Sequence, residues 1–563
     1  MTGEGGVRGP AHGPVLIPAQ VARGARGAVV APHHLSTEAG LGILRAGGTA
    51  VDAAIAANAA LAVVGPVFCG IGGDAFWLIW DAAERRQHAL NGSGRAGAAA
   101  DPAALRARGL ERLPRHGPLT ITVPGAVRSW SDAHARFGRL TRAEILAPAI
   151  ELAGRGFPAW DGFIRGVEAT ATRVEETIGP DSGFAQVFRP HGRPWRPGEI
   201  VRLPALATTL TRMADVGFDD FYVGDIAARQ ARGLAAAGSL LTAADLAGHT
   251  TTWGDPIATD YRGVRVTTHP PNSSGPVALE IINILERFEP PSAAAFGPAG
   301  VADARWIHLG IEASKLAMAD RDAELTDPEF RDIPLERLIS KAYATELAAR
   351  IDPQRASSPA ASTAPRGGGT AYLAAVDGEG NAVSLIESNY LGFGSGVVDP
   401  ETGIHYQNRG SYFSLDPAHP NVLAPGKRTL HTLLPGMLFR GDDGPWIVTG
   451  SMGGDAQPQI HAQIVSALVD GGLDVATAVS APRWFVEPDD HFAPPIEVRA
   501  EPRFAADVLE ELEALGHPVS RTEPFDSELG HAHAIELAEG GPSEGSSLAA
   551  ATDPRSAGLP AVW

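Results

Sequence analysis

One stretch constrains this chain more than any other. Gly367-Gly368-Gly369-Thr370 opens the run Ala371 to Asp377, the turn Gly378-Glu379-Gly380-Asn381 follows, and Ala382 to Ser388 completes it. Alternating side chains before the turn (Tyr372, Ala374, Val376) and after it (Val383, Leu385) predict a β-hairpin with one buried face, and Gly380-Asn381 is turn chemistry. Upstream, residues 351–369 are Pro, Ala, Ser, Thr and Gly with few apolar anchors, which predicts a flexible linker. Read alone, the window fits an interdomain linker followed by an ordinary hairpin.

It also fits a precursor cut at Gly369-Thr370. The cut makes Thr370 a new N-terminus whose hydroxyl is a nucleophile and whose own α-amine is the base. An α-amine titrates near ~8, against ~10.4 for a lysine amine, so it takes the hydroxyl proton close to neutral pH without a histidine. Gly369 contributes a carbonyl with no side chain beside it, which the Thr370 hydroxyl can attack to cut the chain itself.

Composition narrows the class. The 563 residues are too many for one small core and predict several packed layers or two subdomains. A net charge of -19 argues against nucleic-acid or anionic-membrane partners, which need basic surfaces. Cys69 is the only cysteine, so no intrachain disulfide or thiolate metal cluster is expected. No signal-peptide core or run of roughly twenty apolar residues stands out, which makes the cytoplasm the expected location and a membrane partner unexpected.

Along the chain, residues 1–26 read as a flexible N-terminal arm. Ser36 and Thr37 read as caps of a helix through Leu44, and Val51 to Val64 as an Ala-rich helix packed inside the protein. Gly70-Ile71-Gly72-Gly73-Asp74 resembles a phosphate loop only superficially, because it lacks lysine and precedes the strand Ala75 to Asp81. Arg95 follows a strand end on the loop Asn91-Gly92-Ser93-Gly94, where its planar fork suits a carboxylate. Further helices are expected over 142–155, 226–237, 277–288 and 306–321, with a strand over 264–268. Strand 446–449, the loop Ser451-Met452-Gly453-Gly454 and helix 460–469 form an oxyanion-type arrangement, with backbone N–H groups converging near a helix start.

With these pieces in order, the chain resembles the γ-glutamyltranspeptidase family of N-terminal-nucleophile hydrolases from about Gly27 to its end. The resemblance rests on Ala39-Gly40 to Ala54, Gly70 to Gly73, Val123-Pro124-Gly125, Phe221 to Gly224, Asp260 to Gly263, Ser273-Ser274-Gly275 and Ala319-Asp320-Arg321. It continues through Asp377 to Asn381, Gly394-Ser395-Gly396, Gly453-Gly454 and Asp553-Pro554-Arg555. It implies an α+β fold, a four-layer αββα sandwich, and self-cleavage into a large subunit ending at 369 and a small subunit, 370–563. The two would form a heterodimer open to pairing as a dimer of heterodimers. Position by position it implies Thr370 as nucleophile and Ser388 as its hydroxyl partner. Gly453 and Gly454 become the oxyanion loop and Arg95 the grip on a substrate carboxylate, with His431 and Thr432 where two serines flank that carboxylate.

The departures bear on substrate. Where the family has Asn-Asn-Gln-Met-Asp-Asp-Phe-Ser, this chain has Gln407-Asn408-Arg409-Gly410-Ser411-Tyr412-Phe413-Ser414. Tyr412 therefore stands where a carboxylate binds the glutamyl ammonium, Arg409 adds positive charge, and Tyr390 replaces an asparagine, with Asn389 adjacent. A missing hydrogen bond to a charged group costs roughly 1.5–3 kcal/mol, so a dicarboxylate monoamide without the amino group is expected to fit better than a γ-glutamyl amine. Cephalosporin acylases and small dicarboxylate amidohydrolases are the related activities.

The expected chemistry is acyl transfer from a small-molecule amide through an ester on Thr370, resolved by water or another amine, with no cofactor or metal. A Ser-His-Asp hydrolase lacks a Gly-x-Ser-x-Gly elbow here. A metal enzyme would have to use His33, His34, His405, His419, His431 and His461, none in a His-Glu-x-x-His pattern. Trp77 and Trp80 read as core. An uncleaved, inactive relative serving as a scaffold is the alternative of a different class.

Overall fold

The computed structural model describes residues 20–357, 369–490, 493–538 and 547–563. Most of the expected linker and residues 1–19 lie outside the described residues. Fourteen strands form the two main sheets, the first seven in chain order being β1 Ala22–Gly24, β2 Ala28–Val30, β3 Asp74–Asp81, β4 Arg86–Gly92, β5 Thr252–Gly254, β6 Ile257–Tyr261 and β7 Val264–Thr268. The rest are β8 Gly369–Val376, β9 Ala382–Tyr390, β10 Gly436–Phe439, β11 Ile447–Ser451, β12 Ala532–Glu536, β13 Leu548–Thr552 and β14 Ala561–Val562.

They make two seven-stranded sheets, one in the order β14-β2-β8-β9-β3-β4-β5 and the other β1-β13-β12-β11-β10-β7-β6. Every neighbouring pair is antiparallel. Each sheet draws strands from both sides of Gly369-Thr370, so the two expected subunits are interleaved rather than side by side.

Three apolar layers hold the sheets and helices together. Ala371, Leu373 and Ala375 of β8 join Trp77 and Ile79 of β3 under helices α1 His34–Arg45, α2 Ala50–Val64, α3 Ala126–Phe137 and α4 Arg142–Arg155. Tyr372, Ala374 and Val376 point the other way and meet Met437, Val448, Ile535 and Ala550 of the second sheet. Behind that sheet, Val266, Leu438, Ile447 and Ala534 pack under α5 Gly275–Leu285, α6 Ala304–Glu324 and α7 Gln457–Val469. The result is the four-layer αββα sandwich.

Local rules explain most element starts. Thr49 and Asp52 close a reciprocal capping box on α2, whose fifteen residues are all buried. Ser36 and Thr37 are not the caps of α1. The helix begins at His34, His33 Nδ1 accepts the Leu35 N–H (3.2 Å), and Ser36 Oγ instead donates to Ala57 O of α2 (2.7 Å). The strand that carries Thr370 also departs from expectation, being buried on both faces because it lies in the middle of the sandwich. Residues 22–24 of the expected arm are an edge strand paired with β13. At the linker start, Ala356 N–H donates to Leu515 O (2.8 Å). Trp77 and Trp80 are both core residues. Among the described residues, no helix is long and apolar enough to cross a membrane.

Candidate active site

The hairpin β8–β9 is fixed at both ends. At its turn, Asp377 Oδ1 accepts the N–H groups of Glu379 (2.9 Å) and Asn381 (3.0 Å), while Oδ2 accepts the Ala50 N–H at the start of α2 (2.9 Å). Gly380 supplies the left-handed backbone, φ 88°, that the turn needs. At its open end the register slips: Thr370 pairs with Ser388, Gly369 with Tyr390, and Asn389 is the extra residue. Tyr390 takes φ 75°, uncommon for a residue with a side chain, as at bulges that re-aim side chains. A Cβ on Gly369 would fall 2.4 Å from Val67 O, so only glycine fits before Thr370.

The bulge gathers a connected set of polar groups. Thr370 Oγ1 lies 2.9 Å from Ser388 Oγ, and Ser388 Oγ donates to Gly369 O (2.7 Å). Tyr390 N–H (2.7 Å) and Arg409 Nη2 (3.3 Å) donate to the same Ser388 oxygen, and Arg409 Nη1 donates to Thr432 Oγ1 (3.1 Å). All five side chains are buried. The Arg409 guanidinium lies 4.3 Å from the Tyr390 ring centre and 5.7 Å from that of Tyr412. Burial lowers its pKa. Among the described residues no carboxylate forms an ion pair with it, and its Nε has no partner.

Tyr412 leads to the glycine loop. Its hydroxyl donates to Asp455 Oδ1 (2.5 Å), and that carboxylate is also paired with Arg321. Asp455 directly follows Gly453 (φ 145°) and Gly454 (φ 55°), and the chain then turns into α7. A Cβ on Gly453 would sit 2.7 Å from Ile460 Cδ1. Among the described residues neither glycine N–H is spent on an acceptor.

His431 belongs to a second buried pair, its Nε2 3.1 Å from Asp74 Oδ2. Asp74 Oδ1 accepts the N–H groups of Gly94 (2.9 Å) and Gly125 (3.3 Å). Burial pushes the Asp74 pKa up to about 7 against the pull of Arg409 and Arg428. Burial, then Arg409 and His269, keep His431 neutral, well below its usual range. Arg95 lies in a third group. It is ion-paired with Glu329 (2.7 Å) and Asp327 (3.6 Å) and donates to Gly426 O (3.1 Å), next to Arg428.

The structure thus brings together Thr370, Ser388, Arg409, Thr432 and Tyr390, links Tyr412 to the Gly453-Gly454 loop through Asp455, and gives Arg95 carboxylate partners of its own. Sequence reading passed over Asp74 and Asp455. The available signal was a carboxylate directly after each of two paired glycines. The histidines considered as metal ligands do not gather. His33 caps α1, and His405 Nε2 contacts Cys69 O (3.2 Å). Among the described residues, the groupings of metal-ligand type are His308, Glu312, His517 and Asp81, Glu84, His88, neither containing a residue of the Thr370 group.

Two facing antiparallel sheets between helical layers, with a hydroxyl residue opening a central strand, define the N-terminal-nucleophile hydrolase class of fold. The gamma-glutamyltranspeptidase model matches residues 36–563, and the chain belongs to that family of amide hydrolases. It is 40% identical over 539 residues to the glutathione hydrolase-like YwrD proenzyme of Bacillus subtilis (strain 168), covering 95% of this chain and 98% of that one. It is 39% identical over 554 residues to the oxamate amidohydrolase proenzyme of Klebsiella pneumoniae, with the same coverage. The crystal structure of cephalosporin acylase from Bacillus halodurans superposes with a TM-score of 0.89 at 39% identity, over 99% of both chains.

Proposed function

We propose that this enzyme is cut at Gly369-Thr370 and then hydrolyses the amide bond of a dicarboxylate monoamide through an ester on Thr370. The Thr370 hydroxyl attacks the substrate carbonyl while its α-amine takes the proton. The Gly453 and Gly454 N–H groups hold the oxyanion, each such donor being worth about 2.7–4 kcal/mol in comparable sites. The leaving amine departs with the proton, and water resolves the ester. The interleaved sheets keep the fragments together as a heterodimer.

One observation carries the substrate reading: Arg409, buried and without a carboxylate, sits one hydroxyl away from the Thr370 oxygen. The nearby acid with the charge to hold a substrate ammonium, Asp455, is already neutralised by Arg321 and bonded by Tyr412. The acyl group is therefore an anion and not a zwitterion. The relative named for oxamate amidohydrolase supports an acyl group of this type.

The test is a panel of oxamate, succinamate and glutaramate against a γ-glutamyl amide and an uncharged amide of equal length. The three carboxylate-bearing amides without an amino group should lead in kcat/KM. A lead for the γ-glutamyl amide refutes the reading. Tyr412→Asp should raise the γ-glutamyl rate relative to the glutaramate rate by about tenfold, the value of one hydrogen bond to a charged group.

A further inference from the structure

The α-amine that serves as base in turnover does not exist while Thr370 is still joined to Gly369. Its nitrogen is then an amide, with no basic lone pair. The first cut needs another route for the Thr370 proton, and the bulge provides one.

A serine hydroxyl has one proton, and a carbonyl oxygen only accepts. Ser388 Oγ is ringed by donors, Tyr390 N–H and Arg409 Nη2–H, so its own proton goes to the Gly369 carbonyl oxygen 2.7 Å away. The contact of 2.9 Å between the hydroxyls is then filled by the Thr370 proton. The protons run in one direction, from Thr370 to Ser388 and from Ser388 to the oxygen of the bond to be cut.

We propose that Ser388 is the proton shuttle of chain cleavage and that Arg409, acting through Ser388, is a positioning residue for it. The inference rests on the reading of Thr370 as nucleophile. Thr370 Oγ bonds to the Gly369 carbonyl carbon and the C=O π pair moves to oxygen. Ser388 gives that oxygen its proton and takes the one leaving Thr370. The adduct is a neutral hydroxyl compound, and no charged base is used. On collapse the C–N bond breaks, the hydroxyl proton passes to the departing nitrogen, and the carbonyl re-forms as an ester of Gly369 with the Thr370 oxygen. Water hydrolyses that ester, leaving a Gly369 carboxylic acid and a Thr370 with free hydroxyl and α-amine.

The experiment follows cleavage of freshly purified full-length precursor by intact mass, for wild type, Ser388→Ala, Ser388→Thr, Arg409→Met and Arg409→Lys, in H2O, D2O and their mixtures. Ser388→Ala should slow cleavage about a hundredfold or more, as loss of positioned proton transfer does, and Ser388→Thr should restore it to within about tenfold. Arg409→Lys should retain more rate than Arg409→Met. The wild-type rate should fall along a bowed curve with deuterium content, as two moving protons require. A wild type that stays whole overturns the reading of Thr370 itself. A wild type cut at Thr370 overturns the shuttle alone if Ser388→Ala is cut equally fast or if the deuterium dependence is a straight line.

Discussion

Two buried arginines in this protein have opposite surroundings. Arg555, in the closing Asp553-Pro554-Arg555 segment, meets Glu501 (2.6 Å) and Asp553 (3.0 Å), and donates to Ala481 O (2.8 Å). Asp553 also binds Arg483 (2.5 Å), and Glu501 binds Arg503 (2.8 Å). Burial alone would raise the Asp553 pKa, yet Arg483 and Arg555 hold it well below the carboxylate range, and the Arg555 pKa is raised. Arg409 meets two hydroxyls and two aromatic rings, and burial lowers its pKa. A buried charge with matched partners holds the fold, whereas one left with neutral partners keeps its field available for an incoming anion.

The predictions test that contrast. Thr370→Ala, beside Arg409, should leave a single chain on a denaturing gel and abolish hydrolysis, a loss on the order of 10^6 if it matches other covalent catalysts, with the thermal midpoint unchanged. Two fragments from that variant would remove Thr370 from the cleavage step. Arg555→Met should do the reverse. Leaving Asp553 and Glu501 with one arginine each should cost about 3–5 kcal/mol in denaturant unfolding, as breaking a buried pair does.

Assayed once its chain is fully cut, Arg409→Met should leave unfolding unchanged or shifted to higher denaturant while lowering kcat/KM for carboxylate-bearing amides roughly ten- to a hundredfold, with uncharged amides little affected. Equal loss on both substrate types would assign Arg409 to structure. The last prediction concerns pH. Unfolded Asp releases its proton near ~3.9, while folded Asp74 holds it up to about 7. The folded state binds more protons between those values, so Asp74 makes stability fall as pH rises from about 4 to 7. Asp74→Asn should flatten that part of the unfolding profile, and an unchanged slope would place the titration elsewhere.

Much of the frame was legible in the chain. Turn residues Gly380-Asn381, the strand 264–268 and the helices over 142–155 and 226–237 follow local period and punctuation, and they stand within a residue of expectation as Val264–Thr268, Arg142–Arg155 and Asp225–Ala237. The second buried face of β8 had a signal too, although one buried face was expected. Ala371, Leu373 and Ala375 complete a continuous apolar run, the pattern of a strand covered on both sides. The helix ends were less so. Glu286 to Phe288 fall outside α5, and α6 runs three residues past Arg321.

By itself the sequence determined the order of the local features on which the proposed chemistry rests, because a hydroxyl after a glycine, a turn, and a glycine pair before a helix are set by φ, ψ and side-chain period. The tertiary structure decided which charges are matched. Glu329 reaches Arg95 across 234 positions and Asp74 reaches His431 across 357. Such partners have no signature in local spacing. Only packing the four layers brings them within Coulomb reach and removes the water that would otherwise screen them, which is why Arg95 meets carboxylates and Arg409 meets hydroxyls and rings.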